Sequence, residues 1–383
     1  MKILHVTSSM SPEWGGPSRA IASITNSLET LGVNCTIFAG EGGRLGTNSV
    51  KTDVSEIQSF RTGLMAKFWT GYSSNLSNAI KEAVGNHDIV HIHELWHFPH
   101  YAAYKSAISQ GKPYCITTHG TLSPWALRHK YFRKQIYMWF TQRRILTQAS
   151  YIHTITSQER QHIQDQGIHT PTVTIPNGVY IENLQYSGTQ SMLLERYPNL
   201  KDKNIILFLG RIHPIKGLPL LAEAFSNLVK FIPNTYLVLA GPNEDGHQQH
   251  IKRVLTKLGT QEKVIFTGML TETEKLDALN CADMLVVPSH SEVMSISALE
   301  AMASSLPVVI TEESQFPEIG SYQAGIVVRR NNSDLLDAMI QILNNPDRAL
   351  QMGRNGYMLA STKYHWNRLA PQYVDMYKSM IKP

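Results

Sequence analysis

NIILFLGRIHPIKGLPLLAEAFSNLVKFIPNTYLVLAG, residues 204–241, decides the fold. Its first run, NIILFLG, is short, apolar throughout and closed by a glycine. LPLLAEAFSNLVKFI follows with apolar residues at helical spacing, and TYLVLAG is again continuously apolar. Strand, helix and strand in that order form a crossover unit. Strands apolar at every position are those covered on both faces, as in a parallel sheet.

The same rhythm continues outward. KVIFTG, TETEKLDALNCA and DMLVVPS follow, and the amino-terminal half runs KILHVTS, RAIASITNSLETLG, NCTIFAG, DIVHIHE, AAYKSAISQGK and PYCITTHG. The chain is therefore α/β twice over, with two Rossmann-like, doubly wound parallel sheets. A length of 383 residues suits two domains. Periodicity is lost over residues 179–203, which read as the inter-domain connection. That gives an amino-terminal domain over 1–178 and a carboxyl-terminal domain over 204–364. HWNRLAPQYVDMYKSMI lies in an amphipathic helix at about 365–383, with Pro371 in its first turn or at a kink.

A net charge of +5 is a mild bias toward anionic ligands, and no nucleic-acid motif accompanies it. Cys35, Cys115 and Cys281 are far apart and odd in number, so they read as buried thiols in a reducing compartment. No apolar run has membrane-spanning length, and a cytoplasmic protein is expected.

Ligands of such sheets gather beyond the carboxyl ends of the strands, in a cleft shared by two facing domains. Four loops there carry chemistry. In LGRIHPIKG, residues 209–217, Gly210 is followed by Arg211 and Lys216 before a helix, an arrangement suited to a diphosphate. Two solvated surface cations are the plain alternative. MSPEWGGPSRA, residues 10–20, pairs Gly15 with Gly16, and a helix is expected from about Ser18; paired glycines let a ligand approach the backbone. It is no GxGxxG fingerprint, which removes the main support for a dehydrogenase. ITTHGTLSPW places His119 and Gly120 at a strand end, with Trp125 shortly after.

The fourth is SHSEVMSISALEAMASSLPVV, residues 289–309. A helix beginning near Ser295 or Ile296 leaves Glu292 in the entering loop and Glu300 about one turn inside. Both carboxylates then reach the helix start, with the backbone of Val293, Met294 and Ser295 between them.

Two further stretches pose sharper alternatives. HDIVHIHELWHFPH holds His87, His91, His93, His97 and His100; His93 and His97 would share a helix face and raise a metal site. No HExxH or cysteine pattern supports one, and His93 reads better as a cleft contact at a strand end. LRHKYFRKQIYMWFTQRRIL, residues 127–146, interleaves basic and aromatic residues. Wound as a helix, it offers a face for anionic lipid headgroups; a solvated helix with aromatics packed inward is the alternative.

Taken together, GRIHPIKG, VIFTG at 264–268 and ADMLVVPSHSEVMSISALEAMASSLPVV resemble family 4 glycosyltransferases of the GT-B fold, over nearly the whole chain. Glu292 and Glu300 carry the family's E-x7-E spacing, and HIHELW, THG, IPNGV at 175–179 and Trp366 add to the likeness. HGTLSPWAL is similar to bacterial members that build exopolysaccharide, capsule or lipopolysaccharide. The resemblance implies a retaining, metal-independent hexosyltransferase of class EC 2.4, with no cofactor and a UDP- or GDP-linked sugar as donor. The acceptor would be a saccharide or lipid-linked saccharide. Arg211 and Lys216 would hold the diphosphate, Glu300 the ribose, Glu292 the donor sugar, and His119 the region of the reacting carbon. Gly16, Gly210 and residues Val293, Met294 and Ser295 would approach the donor; Gly15, His93 and Trp125 are acceptor-side candidates. The final helix would cross back to the first domain. Nucleic acid is not an expected partner; peripheral contact with the inner face of the cytoplasmic membrane through residues 127–146 is.

This sequence departs from the family where Val293-Met294-Ser295 replaces small or aromatic residues, at Ser305 in place of glycine, and at Tyr180 in place of aspartate. The alternatives are a non-catalytic sugar-nucleotide binder and a nucleotide-sugar epimerase of the same architecture. Nucleobase, sugar, linkage and oligomeric state are not legible.

Overall fold

The computed structural model describes residues 1–40, 56–184 and 191–381. Parts of two expected elements, 185–190 in the connection and 382–383 in the final helix, lie outside them. The chain divides into two compact units: Met1–Asn177 with Trp366–Pro383, and Gly178–His365.

The first unit holds β1 (Lys2–Thr7), β2 (Asn34–Gly40), β3 (Glu56–Phe60), β4 (Ile89–His93), β5 (Tyr114–Thr117), β6 (Tyr151–Thr154) and β7 (Thr172–Thr174). They form one parallel sheet in the order β3-β2-β1-β4-β5-β6-β7. The second unit holds β8 (Asn204–Leu209), β9 (Thr235–Ala240), β10 (Val264–Gly268), β11 (Met284–Val287), β12 (Val308–Thr311) and β13 (Gly325–Val328). Their order is β10-β9-β8-β11-β12-β13, again all parallel. In both sheets the order reverses beside the unit's first strand, at β1/β4 and at β8/β11. The crossovers diverge there and leave a crevice at the carboxyl ends.

The opening stretch folds as its pattern dictates. Helix Leu218–Phe231 buries Leu218, Leu221, Ala222, Phe225 and Leu228, which recur at the helical period. Each of the leucine and phenylalanine side chains contributes roughly 1.5–3 kcal/mol on burial. Gly217 joins loop to helix with φ 67°, and a Cβ there would stand 2.0 Å from the carbonyl oxygen of Pro288. The loop after β8 is thus pressed against the chain leaving β11, a contact that only glycine permits.

Several local expectations change. The helix placed near Ser18 begins at Gly16, because Pro17 suits a first turn where no N–H acceptor is needed. Pro371 lies inside helix Trp366–Ile381, past its first turn. That helix buries Trp366, Tyr373 and Tyr377 and belongs to the first unit. The described residues of 179–203 lack periodicity because they form short pieces, including helix Met192–Arg196, and belong to the second unit. Cys35 and Cys115 are buried, but Cys281 is half-buried; all three are free thiols. Residues 127–146 are not one helix: Lys130, in the left-handed region at φ 54°, separates Pro124–Arg128 from Tyr131–Tyr137, and a π-helical turn, Met138–Gln142, precedes Arg143–Thr147.

Candidate active site

In the second unit, the loop leaving β8 carries Gly210, Arg211 and Lys216, and the loop leaving β11 carries Ser289 and Glu292. β8 and β11 are neighbours, so the reversal of strand order brings these loops together. His290 N donates to Ile215 O at 2.7 Å and fastens one to the other. Lys216 Nζ forms an ion pair with Glu292 Oε1, which also accepts from Ser289 Oγ at 2.9 Å. Arg211 Nη1 pairs with Glu244 Oε2 at 2.6 Å. These pairs retain partial exposure, so solvent or a ligand oxyanion can reach the cations.

The expected helix start holds: Ser295 caps helix Ile296–Ala303, its Oγ accepting from Ala298 N at 3.3 Å. Met294 is buried, which leaves its backbone, not its side chain, for a ligand. Glu300 sits in the helix's second turn and is nearly buried. Its Oε1 accepts from Lys275 Nζ at 2.6 Å, and Lys275 also reaches Glu272 Oε2 at 2.5 Å. Sequence reasoning missed Lys275, because a lysine in TETEKLDALNCA reads as part of a solvated face.

In the first unit, Gly15 takes φ 85° as it leads into helix Gly16–Glu29. Trp14 Nε1 donates to Glu94 Oε1 at 2.8 Å, anchoring this loop to the end of β4. Glu94, Trp96 and His119 all have positive φ, at 72°, 79° and 48°. Strained non-glycine residues persist where surrounding contacts hold them, often at functional sites. Trp125 is half-buried in the short helix after the THG loop.

His119 is held from below. Its Nε2 is 3.1 Å from His93 Nδ1, and His93 Nε2 is 2.9 Å from His5 Nδ1. Burial pushes His119 and His5 down to about 3 and also lowers His93, so these rings are neutral at physiological pH. His93 is fully buried, with both ring nitrogens engaged by His5 and His119. Glu159 fixes the same loop, accepting from Thr118 Oγ1 at 2.5 Å, Gly120 N at 2.7 Å and Ile155 N at 2.7 Å. Burial raises its pKa, and these three hydrogen bonds oppose that rise. Nothing in SQERQHIQD marks Glu159 for this clamp.

The His93–His97 spacing does not give a shared helix face. β4 ends at His93, and His97 precedes the next helix, where its Nδ1 shares Ser8 Oγ with His100 Nε2 at 2.6 and 3.1 Å. Among the described residues, the set that could hold a metal is His5, His91 and His93. Through one ring nitrogen each, His91 would give up its 2.7 Å bond to Tyr377 or to Thr117, and His93 its bond to His5 or to His119. Among the described residues, only the Nε2 of His5 in this trio lacks a partner.

On residues 127–146 the inward-packed alternative fails: Phe132 is 82% and Trp139 73% exposed, and Tyr131, Ile136 and Phe140 are exposed as well. Two of the cations there have local work. Lys134 Nζ donates to Ala126 O at 2.5 Å, and Arg143 donates to Gln166 O and Gly167 O.

The model for Glycosyltransferase Family 4 matches residues 14–183, and that for glycosyl transferases group 1 matches 193–358. The chain is 23% identical over its whole length, and 97% of the relative's, to a GDP-mannose:cellobiosyl-diphosphopolyprenol alpha-mannosyltransferase of Xanthomonas oryzae. Anabaena HepE, solved with UDP and glucose, superposes with a TM-score of 0.81 at 16% identity, covering 99% of this chain and 100% of that one. Sucrose-phosphate synthase of Thermosynechococcus elongatus gives 0.78 at 18%, covering 99% and 98%. With a family model on each unit, and two parallel sheets that share their fold with GT-B enzymes, the chain belongs to glycosyltransferase family 4.

Proposed function

We propose that this glycosyltransferase moves a hexosyl group from a UDP- or GDP-linked donor to a saccharide or lipid-linked saccharide in surface-polysaccharide synthesis, with retention at the anomeric carbon and no bound metal. One observation carries the reading: Arg211, Lys216 and Glu292 converge where the second sheet reverses its strand order. The full-length Xanthomonas relative, whose name gives GDP-mannose as donor and a polyprenol-linked sugar as acceptor, supports the substrate class. The epimerase and non-catalytic alternatives gain no support from the relatives.

In this reading Arg211 and Lys216 exchange their carboxylate partners for the diphosphate and neutralise it as it leaves. Charge-assisted contacts of this kind contribute roughly 1.5–3 kcal/mol each. Glu292, released from Lys216, orients hydroxyls of the donor sugar, and Glu300 takes the ribose. The backbone amides of Val293 to Ser295, and the backbone at Gly210 and Gly16, are assigned to close approach to the donor. His119 offers a neutral imidazole near the reacting carbon, suited to hydrogen bonding rather than charge. Gly15 and Trp125 are assigned to the acceptor side. No carboxylate is needed as a nucleophile: the departing phosphate directs the acceptor to the face it leaves, and the protein supplies position and electrostatic stabilisation.

The exposed aromatic face of residues 131–140 is assigned to peripheral contact with an anionic membrane at its cytoplasmic side, where a lipid-linked acceptor resides. No helix among the described residues is long and apolar enough to cross a membrane.

The test is incubation with UDP-, GDP- and ADP-sugars singly, reading nucleoside diphosphate release and thermal shift, then repeating with lipid-linked disaccharide and with EDTA. One donor is expected to stabilise the fold and be consumed, with unchanged rate in EDTA and an axial or equatorial product matching the donor by NMR. An inverted product, or a rate abolished by EDTA and restored by a divalent ion, would remove the mechanistic part. Binding of no donor would remove the reading itself.

A further inference from the structure

Helix Glu272–Cys281 carries two charged side chains into the second unit, Lys275 and Asp277, buried to 4% and 0% residual exposure. Asp277 has a plain structural account. Its carboxylate accepts from Leu193 N at 2.6 Å and Ser191 Oγ at 3.0 Å, pinning the turn before Met192–Arg196.

Lys275 is different. Its helix neighbour Glu272 is 73% exposed at the side chain and would suffice as a partner in solvent. A long lysine stem ordinarily carries its ammonium outward to water. Here the ammonium stays inside, 5% exposed, bridging Glu272 to the enclosed Glu300 on a separate helix. Enclosed ion pairs add little net stability, because desolvating both charges offsets their attraction. What such a pair does supply is a fixed carboxylate. An ionised carboxylate has about four acceptor positions, and an ammonium on Oε1 sets the plane in which the others lie.

We propose that Lys275 is a positioning residue for nucleotide recognition: it holds Glu300 in the orientation that accepts hydrogen bonds from the ribose hydroxyls of the donor. The inference rests on the assignment of Glu300 to the ribose. Lys275 touches no substrate in it; it acts through Glu300.

The readout is discrimination between a nucleoside diphosphate and its 2′-deoxy counterpart, measured by titration calorimetry with UDP and dUDP, and with GDP and dGDP. In the wild type the deoxy form is expected to bind roughly 10- to 100-fold more weakly, the scale of hydrogen bonds to a charged group. Glu300→Gln should bring the ratio of dissociation constants close to one. Lys275→Met should do nearly the same while kcat at saturating donor stays within about threefold, since the reacting centre is untouched. Lys275→Arg, which keeps a cation, should retain most of the discrimination. Lys275→Leu, which likewise has no donor, gives the same reading where the methionine variant fails to fold. If the Met or Leu variant binds nucleotide with the wild-type ratio while Glu300→Gln loses it, the positioning role is wrong. If Glu300→Gln itself keeps the ratio, the ribose assignment fails instead. Absence of binding by either nucleotide to the wild type removes both.

Discussion

In the first unit, His5, His91, His93 and His153 are buried on β1, β4 and β6 as neutral rings that bond to one another, to Thr117, and to Tyr373 and Tyr377 of the final helix. In the second, the polar groups at the strand ends and behind them are charged and paired: Lys216 with Glu292, Arg211 with Glu244, Lys275 with Glu300. Two sheets that share the order of their first six strands therefore differ in their polar groups: neutral rings buried within the strands of the first, ion pairs at and behind the strand ends of the second. Neutral imidazoles orient hydroxyls without drawing an anion. Ion pairs hold cations ready for one that competes for them. Under the proposed function, this difference would serve a division of labour in which the second unit holds a nucleoside diphosphate and the first meets a sugar.

The comparison breaks first, and hardest, at Lys216 and Glu292. Lys216→Ala or Glu292→Ala should slow transfer by roughly 10²–10³, as loss of an electrostatic stabiliser does. Because the two are paired, the double variant should fall short of the product of the single losses. Wild-type turnover in both single variants would remove the charged site. Glu244→Ala is the milder contrast, since it frees Arg211 rather than deleting a donor contact.

Acid should separate the units next. Burial holds His5 at about 3 and His153 at about 4, below the ordinary 6.5. The unfolded chain therefore takes up protons first, so stability is full above pH 6.5 and declines as pH falls toward 3–4. Each such ring removes about 1.4 kcal/mol per pH unit across that window. Hydrogen exchange on the full-length protein at pH 7 and pH 5, corrected for intrinsic rate, should show protection falling around β1, β4 and β6 before it falls around β8 and β11. Equal loss in both sheets would contradict the contrast.

Gly217→Ala probes the same second-unit site through its backbone. With φ 67° and a Cβ 2.0 Å from Pro288 O, it should lower the melting temperature and weaken donor binding together. A variant as stable as wild type would mean that the two loops separate freely. The smallest expected effect is on the membrane face: Phe132→Ser with Trp139→Ser should release the protein from anionic vesicles while leaving turnover on a soluble acceptor within about twofold. Lys134 is a poor choice for that test because its ammonium holds Ala126 O. No vesicle binding by the wild type would end the proposal.

Much of the site was legible because its residues cluster locally. Arg211 and Lys216 share one loop, and Glu292 and Glu300 flank one helix start, so motif spacing alone drew attention to them. Glu159, Lys275 and His5 were not legible. Each supports a loop or side chain more than 20 residues away, and its own surroundings read as an ordinary helix or strand. The histidine-rich stretch invited a wrong geometry for the same reason: helical spacing was considered across a junction where a strand ends and a loop begins.

By itself, then, the sequence determined two parallel-sheet units, the loops where their strands end, and the charges on those loops, since all of these follow from periodicity and neighbours along the chain. Which charges are paired, which histidines are neutral, and that Tyr131, Phe132, Trp139 and Phe140 stay in solvent were decided only by tertiary structure. Burial and hydrogen-bond partnership are properties of distant residues brought together, and no local pattern encodes them.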